Sequence, residues 1–493
     1  MEQRAALLDS GGYGVVALYF VLLFGVGIAG RLARREDSLA DFYLGGRALG
    51  PLVLFLTLYA TQYSGLTLVG FAGNAYRQGY AFLVAVTFGC SIMGGYLMIA
   101  PRLHALSKTH GFVTPGDFLQ QRYGDRTLTL CATAIFVFAL ASYILSNLKA
   151  IGFVVSAATG GRVGFTEGIV LLAFLMVLYE TLGGMRAVAW TDVIQGSILL
   201  VSCILIFAAV LHHHGGLAQH AALLAEQAPQ KWQAPDLRGK LGWSSTLLLV
   251  SFGVSIYPHA VQRIYAARDA LALRRSLSLM LLMPFVTTLL MILLGILGAA
   301  RFPGLSRGES EQIVLHVLLD LVTARPEFSL LVVVLVCATV AAIMSTVDSA
   351  LLSIASLVTQ DLYALLRPDA GQKQLTAFGK RFSWALMALL VYLAVALPQT
   401  LWRLTEVKLE VLCQAAPAVF LGLHRPEVPA RAVLLGMGAG LGLTLVLLLG
   451  DLLGLPVVAK PLGVHAGVWG VALNGALTLA LSRGASRLLQ RAA

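Results

Sequence analysis

The sequence predicts an all-α protein that crosses a membrane many times, and three observations carry this prediction. Of the 493 residues, 58% are hydrophobic and only 12% are charged, a composition outside the range of soluble globular domains. Apolar runs near the length of about twenty residues that crosses a bilayer as a helix recur along the whole chain. The second and the seventh of these runs are each interrupted near the middle by polar residues with Gly or Pro.

The apolar runs divide the chain into thirteen predicted transmembrane helices. The longest loop, about residues 212–243, is too short for a separate soluble domain, so we expect one membrane domain over 1–493. The predicted spans are 13–30, 48–72, 80–100, 127–157, 163–180, 188–211, 244–266, 277–300, 329–357, 381–398, 405–423, 431–450 and 464–482.

Lys and Arg collect in alternate loops, and we call that face of the protein the basic side. By the positive-inside rule it is cytoplasmic, which predicts an inner (plasma) membrane protein with its N-terminus outside and its C-terminus in the cytoplasm. The formal charge of +11 therefore reflects topology and not a nucleic-acid partner. The loop charges are Arg31, Arg34, Arg35, Arg47, Arg102, Lys108, Arg122, Arg126, Arg263, Arg268, Arg274, Arg275, Arg367, Lys373, Lys380, Arg381, Arg483, Arg487 and Arg491.

The two interrupted spans carry the strongest functional signal. Residues 57–65 interrupt the second span and residues 251–259 the seventh. A break at mid-membrane frees backbone amides and carbonyls, which hydrocarbon tolerates only where the break lines a cavity. Breaks five spans apart predict two inverted five-helix units, about 48–211 and 244–423, with 13–30 and 431–482 peripheral. This pattern is typical of a secondary transporter with its site at the breaks.

The ninth span carries a run of hydroxyls around a carboxylate. Ala342, Ser345, Thr346 and Ser349 share one helical face, and hydroxyl oxygens are the donors that a small alkali cation needs. The alternative to cation binding is that each hydroxyl only donates a hydrogen bond to the carbonyl four residues earlier, which explains single hydroxyls well. Asp348 is an ionisable group at depth, for which we expect an ion as partner or a structural hydrogen-bonding role.

Other polar residues in the spans are candidates for the site. His259, after the second break, suits either an anionic substrate or a freed carbonyl. Asn147 and Gln414 are expected to line a cavity, because a buried amide needs partners. Lys149 can extend towards the interface, and Arg263 is interpreted as one of the topology charges.

Two further patterns argue against metal chemistry and catalysis. His212, His213 and His214 close a span at a loop, where an interfacial polar cluster is the favoured interpretation over a metal site. The five cysteines are scattered through apolar runs. No metal-ligand set or nucleophile–base pair supports an enzyme.

Three strings together resemble the sodium:solute symporter family over nearly the whole chain: 41–47, 183–195 and 345–349. The resemblance implies the leucine-transporter fold and sodium-driven uptake of a small molecule by alternating access, with no obligate protein partner. In the family, sodium is held by carbonyls of the first broken helix and by a small residue and two hydroxyls opposite. The matching positions are Ala60, Tyr63, Ala342, Ser345 and Thr346.

Some family members bind a second sodium near an aspartate of the sixth span, which matches Asp192 here. The other members of this candidate second site are Ser345, Asp348 and Ser349. Asp348 stands where the family has a hydroxyl, so a second sodium and a shared proton both remain open.

The substrate is the least determined property. Residues 257–259 and 414–419 resemble the bacterial monocarboxylate branch, and Gln62 stands where the proline branch has Asp. We therefore expect a monocarboxylate or similar small organic anion. The alternatives are an amino acid, pantothenate or another polar solute, or a receptor of the same fold. The expected substrate-binding residues are Gln62, Ser64, Asn147, Tyr257, His259 and Gln414.

Overall fold

The computed structural model describes residues 10–33, 38–397, 401–450 and 458–492, and its regular structure in these ranges is helical. The first half contains α1 (Ser10–Leu32), α2 (Leu39–Leu44), α3 (Pro51–Gln62), α4 (Phe71–Gln78), α5 (Ala85–His110), α6 (Pro115–Tyr123), α7 (Arg126–Ala158), α8 (Phe165–His214) and α9 (Leu217–Gln227).

The second half continues with α10 (Leu237–Val254), α11 (Pro258–Ala266), α12 (Ala270–Met280), α13 (Leu289–Arg301), α14 (Arg307–Ser310), α15 (Ile313–Ala324), α16 (Ser329–Leu357), α17 (Ala364–Leu366), α18 (Gln372–Ala396), α19 (Leu401–Leu412), α20 (Ala416–His424), α21 (Ala430–Leu449) and α22 (Ala466–Ala492).

Within the described residues, nine helical stretches are long and apolar enough to cross a membrane, or ten if the bent pair α10–α11 counts as one span. Thirteen spans therefore remain a prediction, as does the division into two repeats. Part of the difference has a local cause. Helix α8 covers both the fifth and the sixth predicted span, and Gly184 divides it with a φ of 60° and a ψ of −156°.

The first interruption lies between α3 and α4. Tyr63 leaves the helical conformation, with ψ at 87°, and a wide helical turn over Leu66–Gly70 leads into α4. Gly65 lies in the gap between α7 and α16, where a Cβ would lie 2.8 Å from Ala150 and from Ile343. Only glycine lets the backbone approach both neighbours this closely.

The second interruption lies between α10 and α11, which meet at an angle of 49°. Pro258 occupies the first turn of α11, where its missing N–H costs nothing because that position has no intrahelical acceptor. The interruption turns α11 into the bundle, and every residue of α11 is buried.

The two interrupted segments meet at the basic side. Leu49, just before α3, accepts a hydrogen bond from the Arg268 amide at 2.9 Å and donates one to the Ala266 carbonyl at 3.1 Å. His104 of α5 lies 3.2 Å from the Ala267 carbonyl through Nε2. These contacts hold the start of the first segment against the end of the second.

Candidate transport site

One cavity opens between the two interruptions, with Gln62, Ser64, Tyr257 and His259 among its lining residues. It extends past Thr246 in the middle of α10 and Thr405 in the first half of α19 to His465, which immediately precedes α22. The cavity therefore extends away from the backbone contacts that join the two segments at the basic side.

Four of the six expected substrate residues line this cavity, and the structure places the other two elsewhere. Asn147 holds the first interruption together: its Oδ1 accepts from the Gly65 amide at 3.2 Å, and its Nδ2 donates to the Tyr143 carbonyl at 2.9 Å. The buried amide thus bonds one backbone amide of the interruption and one carbonyl of its own helix, and it is not part of the cavity lining.

Gln414 also lies outside the cavity lining. It belongs to a tight turn over Cys413–Ala415 that separates α19 from α20. Its side-chain amide donates to the carbonyls of Glu410 and Gly467 at 3.1 and 3.0 Å. The turn directs this side chain towards α22, away from the cavity lining.

Three rings form one wall of the cavity. Tyr143 and Tyr257 stack with centroids 5.4 Å apart, and His259 lies 5.7 Å from Tyr143 and 4.9 Å from Tyr257. Tyr257 Oη, His259 Nδ1 and Gln62 Oε1 are buried and have no hydrogen-bond partner among the described residues. Buried polar atoms normally have partners, so these three fit a bound polar solute.

Lys408 of α19 is a charged lining residue that the sequence analysis did not single out. Its side chain is buried, and Nζ lies 3.7 Å from the centre of the Tyr143 ring and 5.9 Å from that of Tyr257. Such a cation over an aromatic face is favourable, more so away from water. The signal was available, since an ionisable residue inside a predicted span is a functional candidate by default.

The other charges that line the cavity have partners. Arg263 pairs with Asp192 at 3.0 Å, Glu406 with Lys460 at 2.8 Å, and His465 with Glu410 at 2.9 Å. In the described part of the chain, Lys408 has no ion pair with a carboxylate. A protonated Lys408 therefore has no counter-charge in the described lining.

Arg263 was interpreted as a topology charge, and this was wrong. Its side chain is fully buried, as is that of Asp192, and the two form an ion pair. Its Nη1 donates to the His259 carbonyl at 3.0 Å and its Nε to Thr57 Oγ1 at 2.9 Å. The residue lies inside because α11 turns into the bundle after the second interruption.

Asp192 is the centre of a dense polar cluster. Besides Arg263, it accepts hydrogen bonds from Thr57 and from Ser345, while Arg263 also donates to Ser349. The candidate second ion site therefore already holds a cation that belongs to the chain. Paired and hydrogen-bonded in this way, two buried charges offset the cost of leaving water.

Asp348 stands apart from that cluster. Its side chain is fully buried, and neither oxygen has a hydrogen-bond partner among the described residues. A buried carboxylate without partners is costly unless a proton or a cation neutralises it.

The expected sodium residues adjoin the first interruption. The Thr346 hydroxyl shares its hydrogen between the Ala342 carbonyl at 2.9 Å and the Thr61 carbonyl at 3.3 Å. Thr61 lies between Ala60 and Tyr63 in the chain. The Tyr143 hydroxyl donates to the same Thr61 carbonyl at 3.3 Å. A hydroxyl that donates keeps its lone pairs, so these bonds are compatible with ion coordination.

An interrupted pair of helices around a cavity is typical of secondary transporters. The sequence profile described as "SSF: Sodium:solute symporter family" matches residues 42–440. The chain therefore belongs to the sodium:solute symporter family, which confirms the resemblance read from the sequence. It is a sodium-coupled multi-pass membrane transporter and not an enzyme, and its ligands are sodium and a small-molecule solute.

Named relatives cover most of the chain. The sodium/pantothenate symporter of Haemophilus influenzae is 26% identical over 433 residues, which are 86% of this chain and 88% of the relative. The sodium/pantothenate symporter of Escherichia coli is 28% identical over 72% of this chain and 73% of its own length. A sodium/proline symporter of Staphylococcus aureus is 27% identical over 87% and 84%.

A solved structure confirms the fold. A Na⁺-coupled sialic acid symporter in a substrate-bound, outward-open state aligns over 96% of this chain and 97% of its own, with a TM-score of 0.79 and 18% identity. The protein is thus an all-α membrane protein with the leucine-transporter fold, as the sequence predicted.

Proposed function

We propose that the protein imports a small organic anion with one carboxylate, driven by sodium, from the side opposite the basic loops into the cytoplasm. The observation that carries this proposal is Lys408, a buried lysine that lines the cavity and has no carboxylate partner among the described residues. A buried charge without a counter-charge is unfavourable. A carboxylate on the solute supplies that counter-charge when it binds.

The rest of the cavity fits such a solute. Its aromatic wall and the apolar side chains of Ile92, Val250 and Val254 suit a carbon skeleton, while Gln62, Tyr257 and His259 offer polar atoms. Sites for small molecules typically combine apolar walls with a few polar groups that fix orientation.

The relatives favour one kind of organic acid. Pantothenate is a monoanion with an amide and two hydroxyls, and two relatives named above are described as sodium/pantothenate symporters. None of the relatives named above is described as a carrier of simpler monocarboxylates. A pantothenate-like acid therefore fits at least as well as the monocarboxylate that the sequence analysis favoured.

The second candidate is an amino acid, because of the sodium/proline relative. An amino acid also carries an ammonium group, which needs an acceptor or an anion. Glu406 is the acidic side chain of the described lining, and it pairs with Lys460. The cavity therefore suits an anion better than a zwitterion.

We further propose that the coupling sodium binds to Ala60, Tyr63, Ala342, Ser345 and Thr346. Support comes from the bond of Thr346 to the carbonyl of Thr61, between Ala60 and Tyr63. Because Arg263 already neutralises Asp192, we propose a single sodium ion for each transport cycle. Asp348 is then the member of the candidate second site that holds a proton.

The experiment is uptake by the purified protein in proteoliposomes, with and without an inward sodium gradient. The panel of radiolabelled solutes contains pantothenate, lactate, proline and a sialic acid. We expect sodium-dependent uptake of one of the carboxylic acids without an ammonium group. Uptake of proline in preference to every other solute, or uptake without sodium dependence, would contradict the proposal.

A further inference from the structure

Four ionisable side chains meet on the face opposite the basic side, away from the cavity. His213 and His214 end α8, His220 lies in the following helix α9, and Asp320 lies in α15. The sequence analysis favoured an interfacial polar cluster for the histidines. The fold changes that interpretation, because it brings a carboxylate from a distant part of the chain to them.

We propose that His213, His214 and Asp320 form a binding site for a divalent cation of the zinc class. One donor atom from each of the three residues lies within 4.8 Å of the donor atoms of the other two. Three protein ligands, with water in the fourth position, are a common arrangement for zinc.

The separation of one pair of donor atoms fits a shared metal ion. His214 Nε2 and Asp320 Oδ2 are 3.4 Å apart, longer than the 2.7–3.2 Å that is usual for N–H···O bonds. Neither atom has a hydrogen-bond partner among the described residues. Two ligands about 2.0–2.1 Å from a tetrahedral zinc ion would be roughly 3.4 Å apart. The pair thus has the spacing of atoms that share a metal.

The type of donor selects the ion. Two imidazoles and a carboxylate suit zinc and its neighbours among the transition metals, whereas magnesium and calcium prefer sites made of oxygen alone. The centroids of the His213 and His214 rings lie 4.4 Å apart, and the ring planes are inclined at 63° to each other. Two adjacent imidazoles can therefore turn their nitrogens to one point from different directions.

Two neighbours affect the site. Arg301 Nε lies 3.8 Å from Asp320 Oδ2, but its side chain is about half exposed and can turn into water when a cation binds. The His220 ring lies 6.4 Å from that of His214, and neither of its nitrogens has a partner in the described chain.

The proposed ion would connect two parts of the fold. It would tie α15, which packs against α4 of the first interrupted segment, to the end of α8. The ion would thereby link the face opposite the basic side to α4, which follows the first interruption and its proposed sodium residues.

The test is a zinc titration of the untagged, full-length protein in detergent, after treatment with a chelator, followed by calorimetry. We expect one zinc ion per chain with micromolar affinity. Asp320→Asn and His213→Gln should each weaken binding tenfold or more. Cobalt in place of zinc should give the visible absorption of a tetrahedral site in the unaltered protein.

His212→Gln is the matched control, because His212 is adjacent in sequence but exposed and outside the cluster. Equal thermal stability without metal shows that each variant is folded. If His212→Gln weakens binding as much as the other variants, the ion is adventitious only and the proposal is wrong. Absence of stoichiometric binding, or unchanged affinity in both Asp320→Asn and His213→Gln, would also overturn it.

Discussion

Arg263 and Lys408 are both buried cations that line one cavity, but their electrostatic surroundings are opposite. Arg263 lies among Asp192, Thr57 and Ser349 and makes charge-assisted hydrogen bonds to them. Lys408 lies over the Tyr143 ring and has no anionic partner in the described chain. The charge of Arg263 is therefore paired in the absence of a ligand, whereas the Lys408 ammonium group lacks a counter-charge until an anion binds. The comparison separates a charge that supports the fold from one that is available to a solute.

The largest effect should follow from breaking the complete pair. Asp192→Ala or Arg263→Gln leaves the other charge buried without its partner, which costs about 3–5 kcal/mol. We expect a large fall in thermal stability for each single variant, measured in detergent. The double variant Asp192→Asn with Arg263→Gln should recover much of the loss, because no isolated charge remains. Single variants as stable as the unaltered protein would mean that the pair does not support the fold.

Lys408→Gln should show the opposite pattern. Loss of a hydrogen bond between the ammonium group and a carboxylate, worth about 1.5–3 kcal/mol, should weaken solute binding roughly tenfold to more than a hundredfold. Stability should not fall, since an unpaired buried charge is removed. Solute affinity is measured by competition in the uptake assay, and Lys408→Arg should retain part of it.

Lys149→Gln is the matched control for Lys408. Lys149 is another buried lysine of a span, and it donates to the Leu397 carbonyl outside the cavity lining. Its replacement should leave solute affinity unchanged. Equal losses in the two variants would show that the effect of Lys408→Gln is not local to the site.

The sodium residues allow a third comparison, between ion and solute. Replacing both Ser345 and Thr346 by Ala removes two oxygen donors, and we expect the sodium concentration for half-maximal uptake to rise tenfold or more. Each factor of ten corresponds to about 1.4 kcal/mol. Thr339→Ala is the control, because this hydroxyl of the same helix only bonds back to the Leu335 carbonyl at 2.9 Å. Unchanged sodium dependence in a folded double variant would remove these residues from the site.

Tyr143 lies between the proposed sodium site and the proposed solute site, so it should couple the binding of sodium to the binding of solute. Its ring contacts Lys408, while its hydroxyl and that of Thr346 share the Thr61 carbonyl. Tyr143→Phe keeps the ring and loses one hydrogen bond, worth about 0.5–1.5 kcal/mol. We expect sodium affinity to fall roughly two- to tenfold, with a smaller effect of bound solute on sodium affinity. Sodium binding that responds to solute as before would show that the coupling runs elsewhere.

The smallest effect concerns Asp348. If Arg263 serves as the cation for Asp192, the dependence of uptake on sodium is hyperbolic in the unaltered protein and in Asp348→Ser. A sigmoidal curve that becomes hyperbolic in Asp348→Ser would instead show a second sodium ion. The measurement is the initial uptake rate over a wide range of sodium concentrations.

The sequence alone was enough for the fold class and the general function. Hydrophobic runs long enough to span a membrane predict a helical membrane protein. The sequence motifs around Asp192 and Ser345 were specific enough to indicate the family. The position of the first interruption was also predictable, because Gly65 and the neighbouring polar residues lie within one turn of each other. Hydrophobic runs, short motifs and an interruption within one helix involve residues close together in sequence, so the sequence alone can reveal them.

The tertiary structure decided which polar side chain meets which partner. Arg263 and Lys408 are both charged residues near the end of a predicted span, yet α11 turns one towards Asp192 and α19 places the other over an aromatic ring. Asn147 and Gln414 are both buried amides, and each bonds one backbone group four residues earlier and one distant in sequence, Gly65 or Gly467. Burial and pairing depend on the geometry between helices, and the order of residues within one helix does not contain that geometry.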